Sequence, residues 1–248
     1  MSIWTLLKKL KKGNSQPVGV VLSNRYEESL QAVTGALIDR STEAVLVALE
    51  GNRRLGVVPL QGLAEVTAEQ KWDLAMEYLW LFLESMKRKL AFFLRDHDTS
   101  EAVVDQLYRR TVFVFAGLMF RPDLERYFEE NGVGAGLPDQ IRSFYWNSYQ
   151  EAKADYKGLV DPTMVGLDHS GTFRIGEYPK DNWVTEEDNL HTKFARRACQ
   201  VFGQELDSVS INGGILILVF LELLNFGSPV GDTTASADIL KMANHLAM

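Results

Sequence analysis

Cysteine is almost absent from this sequence of 248 residues: Cys199 is the only one. No intramolecular disulfide can form, so the fold must rest on its apolar core, as fits a reducing compartment. Basic residues are also in deficit, with 26 Lys and Arg against 33 Asp and Glu. Proteins that grip phosphate backbones usually present a basic surface, because displaced counterions supply most of the affinity. The acidic balance therefore argues against a general nucleic-acid binder. Long apolar runs are missing too. The longest, Ile215 to Leu221, is far short of the roughly 20 residues that a spanning helix requires, and is expected to be a buried core element. The start, MSIWTLLKKLKK, is not expected to be a secretory signal, since its lysines follow the apolar residues. Internal repeats and low-complexity tracts are absent. So are the G-x-S-x-G elbow, H-E-x-x-H, the EF-hand loop and C-x-x-C.

What is present is an apolar fraction of 46% beside a charged fraction of 24%, the balance of a packed globular protein. Its pattern is mostly helical. The expected class is mainly α: a multi-helix globular bundle with a small N-terminal α/β hairpin element. Three parts are expected, namely an amphipathic basic segment over 1–12, the small α/β element over 18–62 and a helical domain over 63–248, the last two forming one globule.

In the first segment, Ile3, Trp4, Leu6, Leu7 and Leu10 share one helical face, with Lys8, Lys9 and Lys12 opposite. Trp4, Leu7, Lys8 and Lys9 are its candidate binding residues, for a partner protein or, weakly, for an anionic membrane surface. After Pro17, Val18 to Leu22 reads as a strand. A helix capped by Ser23 or Asn24 follows, with the stripe Tyr26, Leu30, Val33, Leu37. Ala44–Leu49 and Leu55–Leu60, joined through Gly51-Asn52, read as a hairpin.

Helical spacing then takes over. Thr67-Ala-Glu-Gln70 has the form of a capping box. Behind it runs the stripe Trp72, Met76, Leu79, Leu83, Met86, Leu90, Leu94, widened by Tyr78, Trp80, Leu81 and Phe82, so that more than one face needs cover. A second helix from about Ser100 carries Val104, Tyr108, Phe115 and Leu118, although Val112-Phe-Val-Phe115 favours extended backbone. Pro122 marks a new helical start and Asn131-Gly132 its end. Another helix, from Pro138, carries Ile141, Tyr145, Ser148, Ala152 and Tyr156, with Gly158 placed to stop it. An irregular stretch of about 159–184 precedes a second capping box, Thr185-Glu-Glu-Asp188. The helix beyond is lined by Leu190, Phe194, Ala198, Val201 and Leu206.

Four places invite a functional reading. Between Asp161 and His191, seven acids face only Arg174 and Lys180. Glu187 and His191 stand one helical turn apart, and Asp168-His169 could complete a divalent-metal shell. Gly132-Val-Gly-Ala-Gly136 resembles a phosphate cradle, but the dinucleotide fingerprint puts glycine where this chain has Leu137, and a connection between helices fits better. Arg196-Arg197 and Arg109-Arg110 read as solvated faces that could become an anion or acidic-partner patch if folding joins them. The nearby Arg196 and Arg197 could lower the pKa of the Cys199 thiol.

Taken together, these features favour a non-catalytic intracellular, cytoplasmic protein that binds another protein and needs no cofactor. Such proteins include adaptors, chaperone-like binders, inhibitors or immunity-type proteins and subunits of assemblies. Self-association is a second form of the same reading. A metal-dependent or acid–base enzyme built on 161–191 and a peripheral membrane component held by 1–12 are the alternatives.

Overall fold

Thr67 and Gln70 open the helix that organises the molecule. Thr67 N–H donates to Gln70 Oε1 at 3.0 Å and Gln70 N–H to Thr67 Oγ1 at 3.1 Å, the reciprocal pair of a capping box. The structure, a computed structural model, describes residues 24–50, 66–94, 97–161 and 189–203. In chain order the helices are α1 (Asn24–Glu50), α2 (Ala68–Leu94), α3 (His97–Met119), α4 (Arg121–Asn131), α5 (Asp139–Tyr156) and α6 (Leu190–Val201), with a 3-10 turn at Val133–Ala135. Among the described residues there is no strand. One isolated parallel bridge joins Val160 to Asn189.

Helix α2 lies in the middle, packed against α1, α3, α5 and α6. Every residue from Leu74 to Met86 is buried, so the wide apolar coverage read in the sequence is met by this chain's own helices. Burying each large apolar side chain contributes about 1.5–3 kcal/mol. Trp80, wholly buried, also donates its indole N–H to Ser148 Oγ at 2.9 Å, which fixes α5 against α2.

Helix α1 corrects one expectation. The segment Ala44–Leu49 is helical, not the first limb of a hairpin. Val45 and Val47 made it look extended. Yet Ala44, Val45 and Ala48 are buried while Leu46 is exposed, which continues the helical stripe of Leu30, Val33 and Leu37 rather than a strand's alternation. Packing against α2 and α3 overrides local β preference here. Ser41 lies on the same buried face and returns its hydroxyl to Leu37 O at 2.7 Å. The second limb and its turn, residues 51–60, lie outside the described residues, as do 18–22 and 1–12.

The β-prone Val112–Phe115 is likewise helical, with Val112 and Phe115 in the core. Pro122 sits in the first turn of α4, and Gly132 ends that helix at φ 79°, a left-handed value that favours glycine. Gly132–Gly136 is the connection into α5, with no preceding strand. Gly158 follows α5 at φ 76°. Leu118, expected on the inward stripe, is exposed instead. Among the described residues no helix is long and apolar enough to cross a membrane.

Candidate functional site

Polar side chains gather in two places, one buried and one open. The buried seam runs along the side of α2 that meets α5 and α6. Arg197 of α6 makes a fork with Glu77 of α2, Nε to Oε2 at 2.6 Å and Nη2 to Oε1 at 2.7 Å. Its Nη1 reaches Asp155 Oδ2 of α5 at 2.7 Å, and Lys193 Nζ lies 2.9 Å from Asp155 Oδ1. About three turns further along α2, Arg88 Nε donates to Glu84 Oε1 at 2.9 Å. The other two arms of Arg88 donate to the carbonyls of Leu159 and Tyr156, closing the C-terminus of α5. Ser85 Oγ donates to Asp161 Oδ2 at 2.9 Å. Beside this pair Lys89 is only 1% exposed.

The electrostatics follow from burial and pairing. Burial raises the Glu77 carboxyl pKa, and the Arg197 hydrogen bond and charge hold it down in part. Burial would also raise Asp155, but hydrogen bonds from Lys193 and Arg197 keep it below the usual carboxylate range. Burial brings Lys89 down to about 8, against the pull of Asp161. The Tyr156 hydroxyl, wholly buried, has no hydrogen-bond partner among the described residues, and burial pushes its pKa well up. Both oxygens of Glu77 are occupied by Arg197. The seam therefore acts as an interlock that ties α6 and α5 to α2 rather than as a proton-transfer station.

This arrangement relocates several sequence candidates. Arg197, read as a solvated cation, keeps only 12% of its side chain exposed. Arg109 and Arg110 pair elsewhere, with Asp105 at 2.9 Å and Glu27 at 2.7 Å, and among the described residues share no ion-pair partner with Arg197. Arg196 is half-buried on α6 and also has an interaction of its own. Cys199 is buried, and burial raises its thiol pKa, opposite to the activation expected from the adjacent arginines. The helix meant to carry Glu187 and His191 begins at Leu190, capped by Asn189 Oδ1, which accepts Thr192 N–H at 2.9 Å. Only His191 of that pair belongs to it. Asp168, His169 and Glu187 lie outside the described residues, as do Trp4, Leu7, Lys8 and Lys9. Among the described residues no group of three or more His, Cys, Asp and Glu could hold a metal ion.

The open place is a groove of about 370 Å³ between α3 and α5. Asp98, Glu101, Ala102 and Asp105 of α3 lie at helical spacing on one wall. Trp146, Tyr149, Gln150 and Lys153 of α5 lie on the other, and Lys87 of α2 also lines the groove. Glu101 Oε1 receives Lys87 Nζ at 3.1 Å and Lys153 Nζ at 2.5 Å. These bonds hold its carboxyl below the usual range. Behind the aromatic wall Tyr108 stacks on Tyr149 at 4.6 Å and meets Trp146 edge-on at 5.6 Å, and Trp80 lies 5.3 Å from Tyr149. The cluster stiffens a surface on which Trp146 is 44% exposed. Phe144, on the other flank of α5, is 47% exposed. Sequence reading missed this groove. Each wall shows helical periodicity by itself, but only the pairing of α3 with α5 brings acids to face rings.

No family model, curated protein or solved structure matches this chain.

Proposed function

We propose that this chain is a non-catalytic binding protein that docks another protein on its α5 side, as an adaptor, a chaperone-like binder, an inhibitor or immunity-type protein, or a subunit of an assembly. One observation carries the reading. Phe144 and Trp146, two large aromatic side chains nearly half exposed, flank a helix whose neighbouring groove mixes rings with charge. Exposed aromatic anchors beside polar groups are the usual makings of an interface centre. The apolar girth of α2 is already covered by α1, α3, α5 and α6, so the partner's surface is sought on α5 and not there. A cytoplasmic setting accords with the single buried cysteine.

The test is purification of the tagged full-length chain, at native level, from the cells that make it. A protein recovered near one-to-one, and lost when Phe144→Ser and Trp146→Ser are combined, is the expected result. Arrival of the chain alone, or a partner indifferent to both substitutions, would contradict the reading.

A further inference from the structure

We infer that the groove between α3 and α5 receives an arginine side chain of the partner, its guanidinium stacked on the Trp146 indole and paired with the Asp105 carboxylate. The inference rests on the proposed binding role and adds the chemistry of the partner.

The lining of the groove divides by function. Lys87 and Lys153 both donate to Glu101 Oε1. Asp105 of α3 and Trp146 of α5 line the same groove. Three carboxylates and two lysines leave the lining with one net negative charge, and the chain as a whole carries −7. The far field therefore favours a cation over an anion, and the near field does so once Arg109 leaves Asp105. The ring wall adds a second attraction for positive charge, through the negative face of the indole.

Asp105 already accepts a guanidinium. Arg109 Nε lies 2.9 Å from its Oδ2, with the Arg109 side chain 75% exposed. Such a pair within one exposed helix is weak, so an incoming arginine can take its place with little loss. Guanidinium suits the site better than ammonium. It is planar, more weakly hydrated and able to stack on an indole while its edge pairs with a carboxylate. Tyr149 lines the same groove. Burial first, and then the charges of Glu84, Glu101 and Asp105, raise its hydroxyl pKa, in keeping with the carboxylates around it.

The probe is the capped peptide acetyl-Gly-Arg-Gly-amide, titrated into the full-length 15N-labelled chain. The uncharged citrulline peptide of the same shape is the control. The indole N–H signal of Trp146 is assigned as the one missing from Trp146→Phe. The expected result is a saturable shift of that signal with arginine and binding about fivefold weaker, or more, with citrulline. Asp105→Asn, a surface change that leaves the rest of the spectrum in place, is expected to remove the preference for arginine. Equal shifts with both peptides, no saturable shift with arginine, or an undiminished preference in Asp105→Asn would each overturn the inference. A partner that co-purifies equally well with Asp105→Asn overturns it while the binding role stands. A chain that purifies without any partner ends the binding role itself.

Discussion

The buried seam and the open groove use the same kinds of residue to opposite ends. In the seam, Glu77 of α2 and Arg197 of α6 keep only 11% and 12% of their side chains exposed and meet in a two-bond fork, with Asp155 of α5, 36% exposed, at its rim. In the groove, Glu101 and Asp105 take their cations at comparable distances, but their side chains are 51% and 39% exposed. Distance alone does not distinguish the two. Solvent does. A charge pair shielded from water is strongly committed, because losing one member strands the other. A pair in water is exchangeable, since each member can be rehydrated. The seam therefore reads as structure, and the groove as a surface ready to trade one cation for another.

The largest expected effect breaks the seam. Arg197→Ala leaves Glu77 buried without its partner and should lower the unfolding free energy by about 3 kcal/mol, measured by urea denaturation. Glu77→Gln combined with Arg197→Met should recover much of that loss, because no unpaired charge remains. A small effect of Arg197→Ala would place the pair in the same class as the groove.

Next comes pH. Lys89 titrates at about 8 in the folded chain against 10.5 for the free side chain. Between those values the unfolded chain holds more protons at this position. Stability should therefore rise with pH, the cost of burying the ammonium being fully present below about 8. Between about pH 7.5 and 9.5 the gain should be about 1–2 kcal/mol, and Lys89→Met should abolish it. Denaturation curves at several pH values, wild type against variant, isolate this one group.

A local contribution follows. Thr67→Ala removes one half of the capping box and should cost about 1 kcal/mol, read as a fall in Tm. The smallest effect is in the groove. Glu101→Gln should change stability by less than about 1 kcal/mol even though it removes a carboxylate with two lysine partners. A loss as large as that of Arg197→Ala would erase the distinction between the regions.

Much of the backbone was legible because its signals are local. The Thr67–Gln70 box, Pro122, Gly132 and Gly158 all act where the residues themselves dictate the turn. The apolar stripe of α2 was legible because helical spacing records burial. What failed was settled at long range. Ala44–Leu49 has strand-like composition, and its helical state depends on packing against α2 and α3. Arg197 looked solvated beside Arg196, yet its partners Glu77 and Asp155 are 120 and 42 residues away. The groove pairs α3 with α5, which no periodicity within either helix reveals.

The measurement that tests the account most directly is hydrogen–deuterium exchange on the full-length chain with and without its co-purified partner. The account predicts new protection over 141–153 of α5 and the facing part of α3, with α2 and α6 unchanged. Protection confined to α2 and α6, with 141–153 exchanging as in the free chain, would contradict it.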